Sequence, residues 1–293
     1  MKRLLKLLGA GVGGIIGLAL LAVVVLNSVS IARQRRIYRV PATGLDVPSD
    51  HASLRRGRHV VTALAACSSC HGPDLGGQVV LDQPLLGRFV AVNLTRGAGG
   101  LLRERTNQDL VRAIRHGVGR NGRPLLFMPS DAFQDMSDDD LAAAIAYLRT
   151  VTPVDRTLPS MRVGPLGRAL HVLGVFPLLP AEKIDHDATG RAPSPGVTIA
   201  YGRYLATVAG CRGCHGPSLR GGSGPGPDLV AALASWTEAD FRRALQKGKR
   251  PDGSALAEPM PWQSFAHMRE AEIAALWRYV ASLRSSPATV ARR

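Results

Sequence analysis

All four cysteines of this 293-residue chain lie in two copies of one five-residue pattern, Cys-x-x-Cys-His. The first copy is "CSSCH", which begins at Cys67, and the second is "CRGCH", which begins at Cys211. Residues three and four apart lie on one face of a helix. Each copy can therefore present two thiols one turn apart with an imidazole beside them, and the fold must accommodate two such groups.

This spacing is typical of covalent c-type haem attachment. The two thiols can form thioethers to the haem vinyl groups, and the histidine can coordinate the iron from one face. The sequence therefore predicts two covalently bound haem c groups, one held by Cys67, Cys70 and His71 and the other by Cys211, Cys214 and His215.

Other uses of paired cysteines agree less well with the pattern. Structural zinc sites place their second pair about 15 to 20 residues after the first, whereas 140 residues separate these pairs. A thioredoxin-like pair needs a βαβ context, and no hydrophobic strand run precedes either motif. Two disulfides remain an alternative, but they do not explain a histidine after both pairs.

The repeat extends beyond the cysteines. "GRHVVTALAAC" before the first motif parallels "GRYLATVAGC", one residue shorter, before the second. Downstream, Met128 pairs with Met260 and Phe133 with Phe265 at a constant offset of 132 residues. We therefore predict two domains of similar architecture, at residues 45–152 and 197–286.

Helix signals recur in both copies, and no stretch shows sustained alternation, so we predict an all-α fold. A threonine with an acid three residues later is typical of a helix N-cap, and a glycine of a helix end. The predicted helices begin at Thr106 and Thr237, end at Gly117 and Gly248, and are followed by last helices after Ser137 and near Arg269.

Residues 153–196 are predicted to be a proline-rich linker, because their prolines exclude a long helix. Its apolar portion, Leu166 to Leu179, is too short to span a bilayer and is interrupted by Arg168 and His171. We expect this portion to pack against one domain or between both.

Residues 1–36 are predicted to be a signal anchor. "LLGAGVGGIIGLALLAVVVL", residues 7 to 26, contains no polar side chain and is long enough for a transmembrane helix of about 20 residues. A cleavable signal peptide with a site at Ser28 to Ser30 is the alternative, but its apolar region is usually only about 7 to 15 residues long. Because c-type haem is attached outside the bacterial cytoplasmic membrane, the haem domains should lie on the periplasmic side.

The formal net charge of +15 does not indicate a nucleic-acid partner. Six of the basic residues precede Ile37, where there is no acid, and the others are scattered without interleaved aromatics. A basic exterior is compatible with an acidic redox partner or with anionic lipid headgroups.

A sixth iron ligand is sought opposite each histidine. Met128 and Met260 are the candidates, because each precedes a proline, which favours an extended backbone on a loop. His116 and His267 are the bis-histidine alternatives. Met136 and Met268 are expected in the core, and His51, His59, His171 and His186 as surface or hydrogen-bonded groups.

The succession of Cys-x-x-Cys-His, a Thr-capped helix, Met-Pro and the "MSDDDLAAAIAYLR" helix resembles the class I cytochrome c fold. Two such domains behind an N-terminal helix resemble membrane-anchored dihaem cytochromes c, including the cytochrome subunits of bacterial alcohol and gluconate dehydrogenases. Val92 to Leu125 is also similar to that group. The chain has two haem motifs where those subunits commonly carry three. The resemblance implies positions near haem edges or propionates for Asn93, Thr95, Arg120 and Trp236.

The residues and the resemblance together indicate an electron-transfer protein with no catalytic residue of its own. We expect it to relay single electrons between a membrane or periplasmic donor and a respiratory acceptor, as a shuttle or as a subunit of a dehydrogenase or oxidase. Its partners would be other redox proteins. The alternative is a dihaem cytochrome c peroxidase-like enzyme, in which one axial ligand is displaceable.

Overall fold

The computed structural model describes residues 2–40, 44–187, 190–222 and 224–284. The last two residues of the predicted second domain, 285 and 286, lie outside this part of the chain. The helices of the described part are α1 Lys2–Gln34, α2 His51–His59, α3 Cys67–His71, α4 Asn107–His116, α5 Ser130–Phe133, α6 Asp138–Thr150, α7 Pro165–Val172, α8 Ile199–Val208, α9 Cys211–His215, α10 Leu229–Ala232, α11 Glu238–Lys247, α12 Trp262–Phe265 and α13 Glu270–Ser282.

The first and last helices of each repeat cross at a glycine. A Cβ placed on Gly57 in α2 would lie 1.9 Å from the carbonyl oxygen of Ala143 in α6. In the second repeat, a Cβ on Gly202 in α8 would lie 2.0 Å from the carbonyl oxygen of Ala275 in α13. The two helix backbones are therefore in direct contact, which only a residue without a side chain permits.

The predicted caps of the middle helices are confirmed. Thr106 and Asp109 form a reciprocal capping box at the start of α4, which ends at Gly117 in the left-handed conformation. The start of α11 has the same box, between Thr237 and Asp240. These caps satisfy the backbone N–H groups that a helix leaves unpaired at its first turn.

The extra residue before the first cysteine pair is absorbed by a π-helical turn. Val60–Leu64 continues α2 as this turn, and the N–H of Ala65 donates to the carbonyl of Val60 at 2.8 Å. Such turns usually arise where one residue is inserted in an α-helix. The first motif therefore keeps its place although Cys67 is ten residues after Gly57, whereas Cys211 is nine residues after Gly202.

A small antiparallel sheet makes the all-α prediction only approximate. Its strands, in the order β1-β2-β3, are β1 Gln78–Gln83, β2 Gly87–Ala91 and β3 Arg162–Val163. β1 is mostly exposed on both faces, so it lacks the alternation that reveals a strand in a sequence. β3 comes from the predicted linker, which therefore packs against the first repeat.

Two hydrophobic clusters lie within the described residues. The larger one is shared by both repeats and includes Leu64, Leu141, Leu205 and Ile273, each at most 1% exposed. The smaller one joins β2 to the linker through Phe89 and Leu178. The linker thus has a core of its own with the sheet.

The N-terminal helix α1 is long and apolar enough to cross a membrane, and it is the one helix of the described residues with this property. Most of its apolar side chains before Leu26 are exposed. A membrane anchor and a signal sequence both satisfy this description.

The glycine crossing yields a stability test. Gly202→Ala should lower the free energy of unfolding by about 1–3 kcal/mol, because the new methyl group overlaps the carbonyl of Ala275. Gly196→Ala is the matched control, since its Cβ would meet only Thr198, at 3.9 Å. Urea denaturation measures both, and equal stabilities of the two variants would contradict the crossing.

Candidate haem sites

Each Cys-x-x-Cys-His segment forms its own short helix after a sharp bend. The residue before the first cysteine is left-handed in both repeats, with φ of 47° at Ala66 and 71° at Gly210. This bend ends the preceding helix and starts a new one at the cysteine. The two thiols and the histidine therefore lie on one turn of α3 and on one turn of α9.

The chain leaves both histidines by the same tight loop. The N–H of Gly77 donates to the carbonyl of His71 at 2.7 Å, and the N–H of Gly221 donates to the carbonyl of His215 at the same distance. The glycine after each histidine has a φ of 80°. The repeat is thus structural as well as sequential.

A backbone carbonyl orients each imidazole. His71 Nδ1 lies 2.8 Å from the carbonyl oxygen of Val92, and His215 Nδ1 lies 2.9 Å from that of Pro227. Because a carbonyl only accepts, Nδ1 carries the hydrogen and Nε2 keeps its lone pair. This is the tautomer that coordinates a metal through Nε2.

Burial disfavours ionisation of the first cysteine in each pair. Burial raises the pKa of Cys67 to about 12 and that of Cys211 to about 12, so both stay protonated at neutral pH. All four cysteines are unpaired, so the disulfide alternative is not what the structure shows. In the described part of the chain, no group of three or more His, Cys, Asp or Glu side chains forms a metal site.

Both Met-Pro segments have the same turn. The carbonyl of Met128 accepts from the N–H of Ser130 at 2.8 Å across Pro129, which has φ −77° and ψ 54°. The carbonyl of Met260 accepts from Trp262 in the same way. These are inverse γ-turns, and both methionines are partly buried against the larger core.

The alternative ligands are placed less favourably. His116 is buried with its Nδ1 3.2 Å from Nδ1 of His186, and His267 is exposed. Met136 and Met268 are 1% and 4% exposed and belong to the core, as predicted. Met128 and Met260 therefore remain the candidates for the sixth positions.

The linker supports the Met128 loop, which sequence reasoning missed. Phe127 has a φ of 65°, and its N–H donates to the carbonyl of Leu178 at 2.8 Å. Its ring lies 5.1 Å from that of Phe89 and 5.5 Å from that of Phe176, between centroids. The strained residue before Met128 is thus held in place by an aromatic cluster built partly from the linker.

Asn93 and Thr95 secure the loop that orients His71. The Thr95 hydroxyl donates to Asn93 Oδ1 at 2.8 Å, and Asn93 Nδ2 donates to the carbonyl of Val154 at 2.7 Å. Both side chains are almost fully buried. They brace the chain just after Val92, so they act on the site through the carbonyl that accepts from His71.

Two reciprocal contacts join the repeats. Tyr204 in α8 donates to Asp140 in α6 at 2.6 Å, and His59 in α2 lies 2.7 Å from Glu272 in α13. His59 and Tyr204 occupy equivalent positions in the repeated "GRHVV" and "GRYLA" segments, and Asp140 and Glu272 are 132 residues apart. Each repeat therefore provides a ring side chain that hydrogen-bonds to the buried carboxylate of the other repeat.

Arg56 forms ion pairs with both carboxylates. It binds Asp140 through Nε at 2.7 Å and through a second nitrogen at 2.9 Å, and it lies 3.6 Å from Glu272. Asp140 and Glu272 are 5% and 3% exposed. A buried charge of this kind is stable only when it is paired and hydrogen-bonded.

The same interface brings the two sites together. The short helix α12 packs on the π-helical turn before Cys67, and α5 packs on α8. A Cβ on Gly210, the residue before Cys211, would lie 3.9 Å from the Cβ of Ala132 in α5. The helix α9, which carries the second cysteine pair, is therefore adjacent to α5, the short helix after the Met-Pro segment of the first repeat.

The residues fit a c-type haem in both repeats. In each repeat the structure shows two unpaired thiols on one helical turn, an imidazole whose Nδ1 lies at a backbone carbonyl, and a loop methionine packed against the larger core. A thioether and an imidazole are the ligand pair found in cytochromes c.

Two family models match the chain. Residues 52–148 match "Cytochrome C oxidase, cbb3-type, subunit III", and residues 199–284 match "Cytochrome c". Together these matches show two cytochrome c domains, which imply haem c binding. The matches show that two domains are present, whereas the domain boundaries predicted from the sequence stay predictions.

The relatives are cytochrome subunits of dehydrogenases. The chain is 26% identical to the fructose dehydrogenase cytochrome subunit of Gluconobacter japonicus over 92% of its length, and 28% identical to the gluconate 2-dehydrogenase cytochrome c subunit of Pantoea cypripedii over 83%. It spans 60% and 62% of these two relatives. The cytochrome c subunit of the quinone alcohol dehydrogenase of Gluconacetobacter polyoxogenes is 32% identical over 28% of the chain and 21% of its own length. The peroxidase alternative gains no support from them.

The second imidazole has a close glycine neighbour that allows a local test. A Cβ on Gly226 would lie 2.6 Å from His215 Nδ1, so Gly226→Ala should shift the ring and alter the absorption and potential of one haem. Gly213→Ala lies in α9 itself, and its Cβ would meet nothing within 4 Å. Redox-resolved spectra that changed equally in both variants would contradict the proposed role of the Pro227 carbonyl.

The interface predicts a pH-dependent stability. Burial alone raises the pKa of Glu272, but hydrogen bonds from His59 and from the N–H of Arg269 hold it below its usual value. Its contribution is therefore present above the unfolded pKa of about 4.3 and is lost as the pH falls through the lower folded pKa. Glu272→Gln should cost about 1.5–3 kcal/mol at pH 7, and less below pH ~4.

Asp240→Asn is the control for this test, because Asp240 caps α11 within one domain and is more exposed. The free energy of unfolding of the parent protein and of both variants is measured in urea across this pH range. A Glu272→Gln penalty that stayed constant down to the lowest pH would contradict the interaction.

Proposed function

Since the chain contains two cytochrome c domains and is homologous to the cytochrome c subunits of fructose, gluconate and alcohol dehydrogenases, we propose that it is a dihaem c-type cytochrome. It relays single electrons from a dehydrogenase to a respiratory acceptor. The observation that carries this proposal is that both domains repeat the Cys-x-x-Cys-His turn, with its imidazole at a backbone carbonyl, and the Met-Pro turn.

The residues of the two sites have separate tasks. Cys67, Cys70, Cys211 and Cys214 would attach the two haems through thioethers, and His71 and His215 would each provide an imidazole nitrogen to the iron. Met128 and Met260 would each provide a thioether sulfur. Haem c supplies reversible one-electron chemistry at its iron when it is bound. The chain provides fixed ligands, an apolar enclosure and two axial donors, of which methionine raises the potential.

The domain interface supports a relay between the two sites. The bonds from Tyr204 to Asp140 and from His59 to Glu272 hold the domains together from both sides. The contact between Ala132 and Gly210 then keeps α5 next to α9. Electron transfer needs a short and constant separation with little rearrangement, and the contact between α5 and α9 supports such a relay.

The relatives support a role as the electron-transfer subunit of a dehydrogenase complex. Their names assign them to fructose, gluconate and alcohol dehydrogenases. For this chain we propose a dehydrogenase partner as the electron donor. The helix α1 anchors the protein in the bacterial cytoplasmic membrane as a single span, and both haem domains lie on the periplasmic side.

The proposal is tested by mass and by redox titration. Mass spectrometry of the matured protein should show the added mass of two porphyrins. Met128→Ala and Met260→Ala should each lower one potential and leave the other nearly unchanged, since each removes one thioether ligand. A mass with fewer than two porphyrins, or two unchanged potentials, would contradict the assignment.

Met136→Ala and Met268→Ala are matched controls, because these methionines fill the core beside the same sites. They should cost about 2–5 kcal/mol of stability and leave both potentials in place. Added cyanide should leave the ferric spectrum of the parent protein unchanged, whereas a peroxidase would show a displaceable ligand.

A further inference from the structure

The outer end of α1 is docked on the linker helix α7. The hydroxyl of Ser30, which is fully buried, lies 3.1 Å from His171 Nδ1. His171 Nε2 lies 3.4 Å from Glu182, which lies 3.8 Å from Arg33. A network of polar groups therefore joins α1 to the linker, in addition to the covalent connection through the chain.

This contact has a defined depth relative to the bilayer. Ser30 is four residues beyond Leu26, where the apolar run ends. At a rise of about 1.5 Å per residue, Ser30 and His171 lie roughly 6 Å above the hydrocarbon layer if residues 7–26 span it. The headgroup region on each side is about 5–7 Å thick. The helix α7 is therefore placed at the level of the headgroups.

Four aliphatic side chains are exposed at or beside α7. Leu166, Leu173 and Val175 are 42%, 63% and 69% exposed, and Leu85 is 61% exposed in the turn between β1 and β2. The N–H of Leu166 donates to the carbonyl of Leu85 at 3.1 Å, so the turn lies against the start of α7. We call Leu85, Leu166, Leu173 and Val175 the apolar patch.

The charges around the patch favour an anionic bilayer surface over water. Arg33 lies at the outer end of α1, Arg35 and Arg36 follow this helix, and all three are exposed. Basic residues beside an apolar surface are typical of proteins that lie in the headgroup layer, where each contributes about 1 kcal/mol with anionic lipid. The patch and these arginines are carried by neighbouring elements, because α7 packs on α1.

We propose that the apolar patch inserts into the headgroup region of an anionic membrane and forms a second membrane contact besides α1. This inference rests on the proposed anchor and deepens it. One helix alone allows the attached domains to rotate and tilt, whereas a helix and a patch together define one orientation.

The first domain is the one that this contact holds at the membrane. The linker continues from α7 to Phe176 and Leu178, which support Phe127 and so the Met128 loop. Membrane contact at α7 is therefore connected through this aromatic cluster to one of the two haem sites. The second domain is oriented in turn by the reciprocal interface.

Single cysteines introduced at Leu173→Cys, Val175→Cys, Leu18→Cys and Ile199→Cys test the inference. The full-length proteins are placed in nanodiscs of equal parts phosphatidylethanolamine and phosphatidylglycerol and treated with a water-soluble polyethylene glycol maleimide. Ile199 is a matched control, since it is 51% exposed and lies in α8 of the second domain. The parent protein sets the background, because its own cysteines are held in thioethers.

Positions 173 and 175 should be modified about tenfold more slowly than position 199, because the reacting thiolate is disfavoured in an apolar layer. Position 18 should resist modification altogether. Modification of 173 and 175 at the rate of 199, with 18 still protected, would overturn the patch and leave the anchor intact. Modification of position 18 as well would overturn the anchor itself.

Discussion

The structure depends on two buried carboxylates, each of which connects its own helix to a helix of the other domain. Asp140 and Glu272 lie three residues after the caps of α6 and α13, and Glu272 accepts from the backbone N–H of its own cap residue. Each carboxylate also binds a ring from the other domain. A charge buried without partners is costly. Glu272 finds its ion-pair partners, Arg56 and His59, in the other domain, whereas Asp140 is also paired with Arg56 of its own domain. The two carboxylates therefore define the domain arrangement, and Glu272 also caps the start of α13.

The linker has more influence on the sites than its composition indicates. Its polypeptide adds β3 to the sheet, places Phe176 against the ring of Phe127, and accepts from the backbone just before Met128. Its helix α7 meets the end of α1 through Ser30 and His171. One segment thus connects the proposed membrane contact to the loop of Met128, the proposed sixth ligand. In the second domain Pro259 occupies the position of Phe127, so the two otherwise similar Met-Pro loops are supported differently.

Local signals were read correctly because their causes are local. The capping boxes at Thr106 and Thr237 and the glycine ends of α4 and α11 involve groups within one helical turn. The core positions of Met136 and Met268 follow from the same repeat. The sheet was missed because β1 is exposed on both faces and because β3, which pairs with β2, comes from the distant linker. Gly57 and Gly202 belong to the sequence repeat. The backbone contacts that require glycine there are made with helices far along the chain, so the sequence alone does not reveal them.

The sequence by itself determined the chemistry of each site, since a Cys-x-x-Cys-His turn and a Met-Pro turn are made by neighbouring residues. It also determined that there are two copies and that one helix is apolar enough for a membrane. Only the tertiary structure decided how the copies meet, which carbonyls orient His71 and His215, and which segment supports Met128. The physical reason is that these contacts join groups far apart in the chain, whose partners are selected by packing and burial and leave no periodic pattern behind.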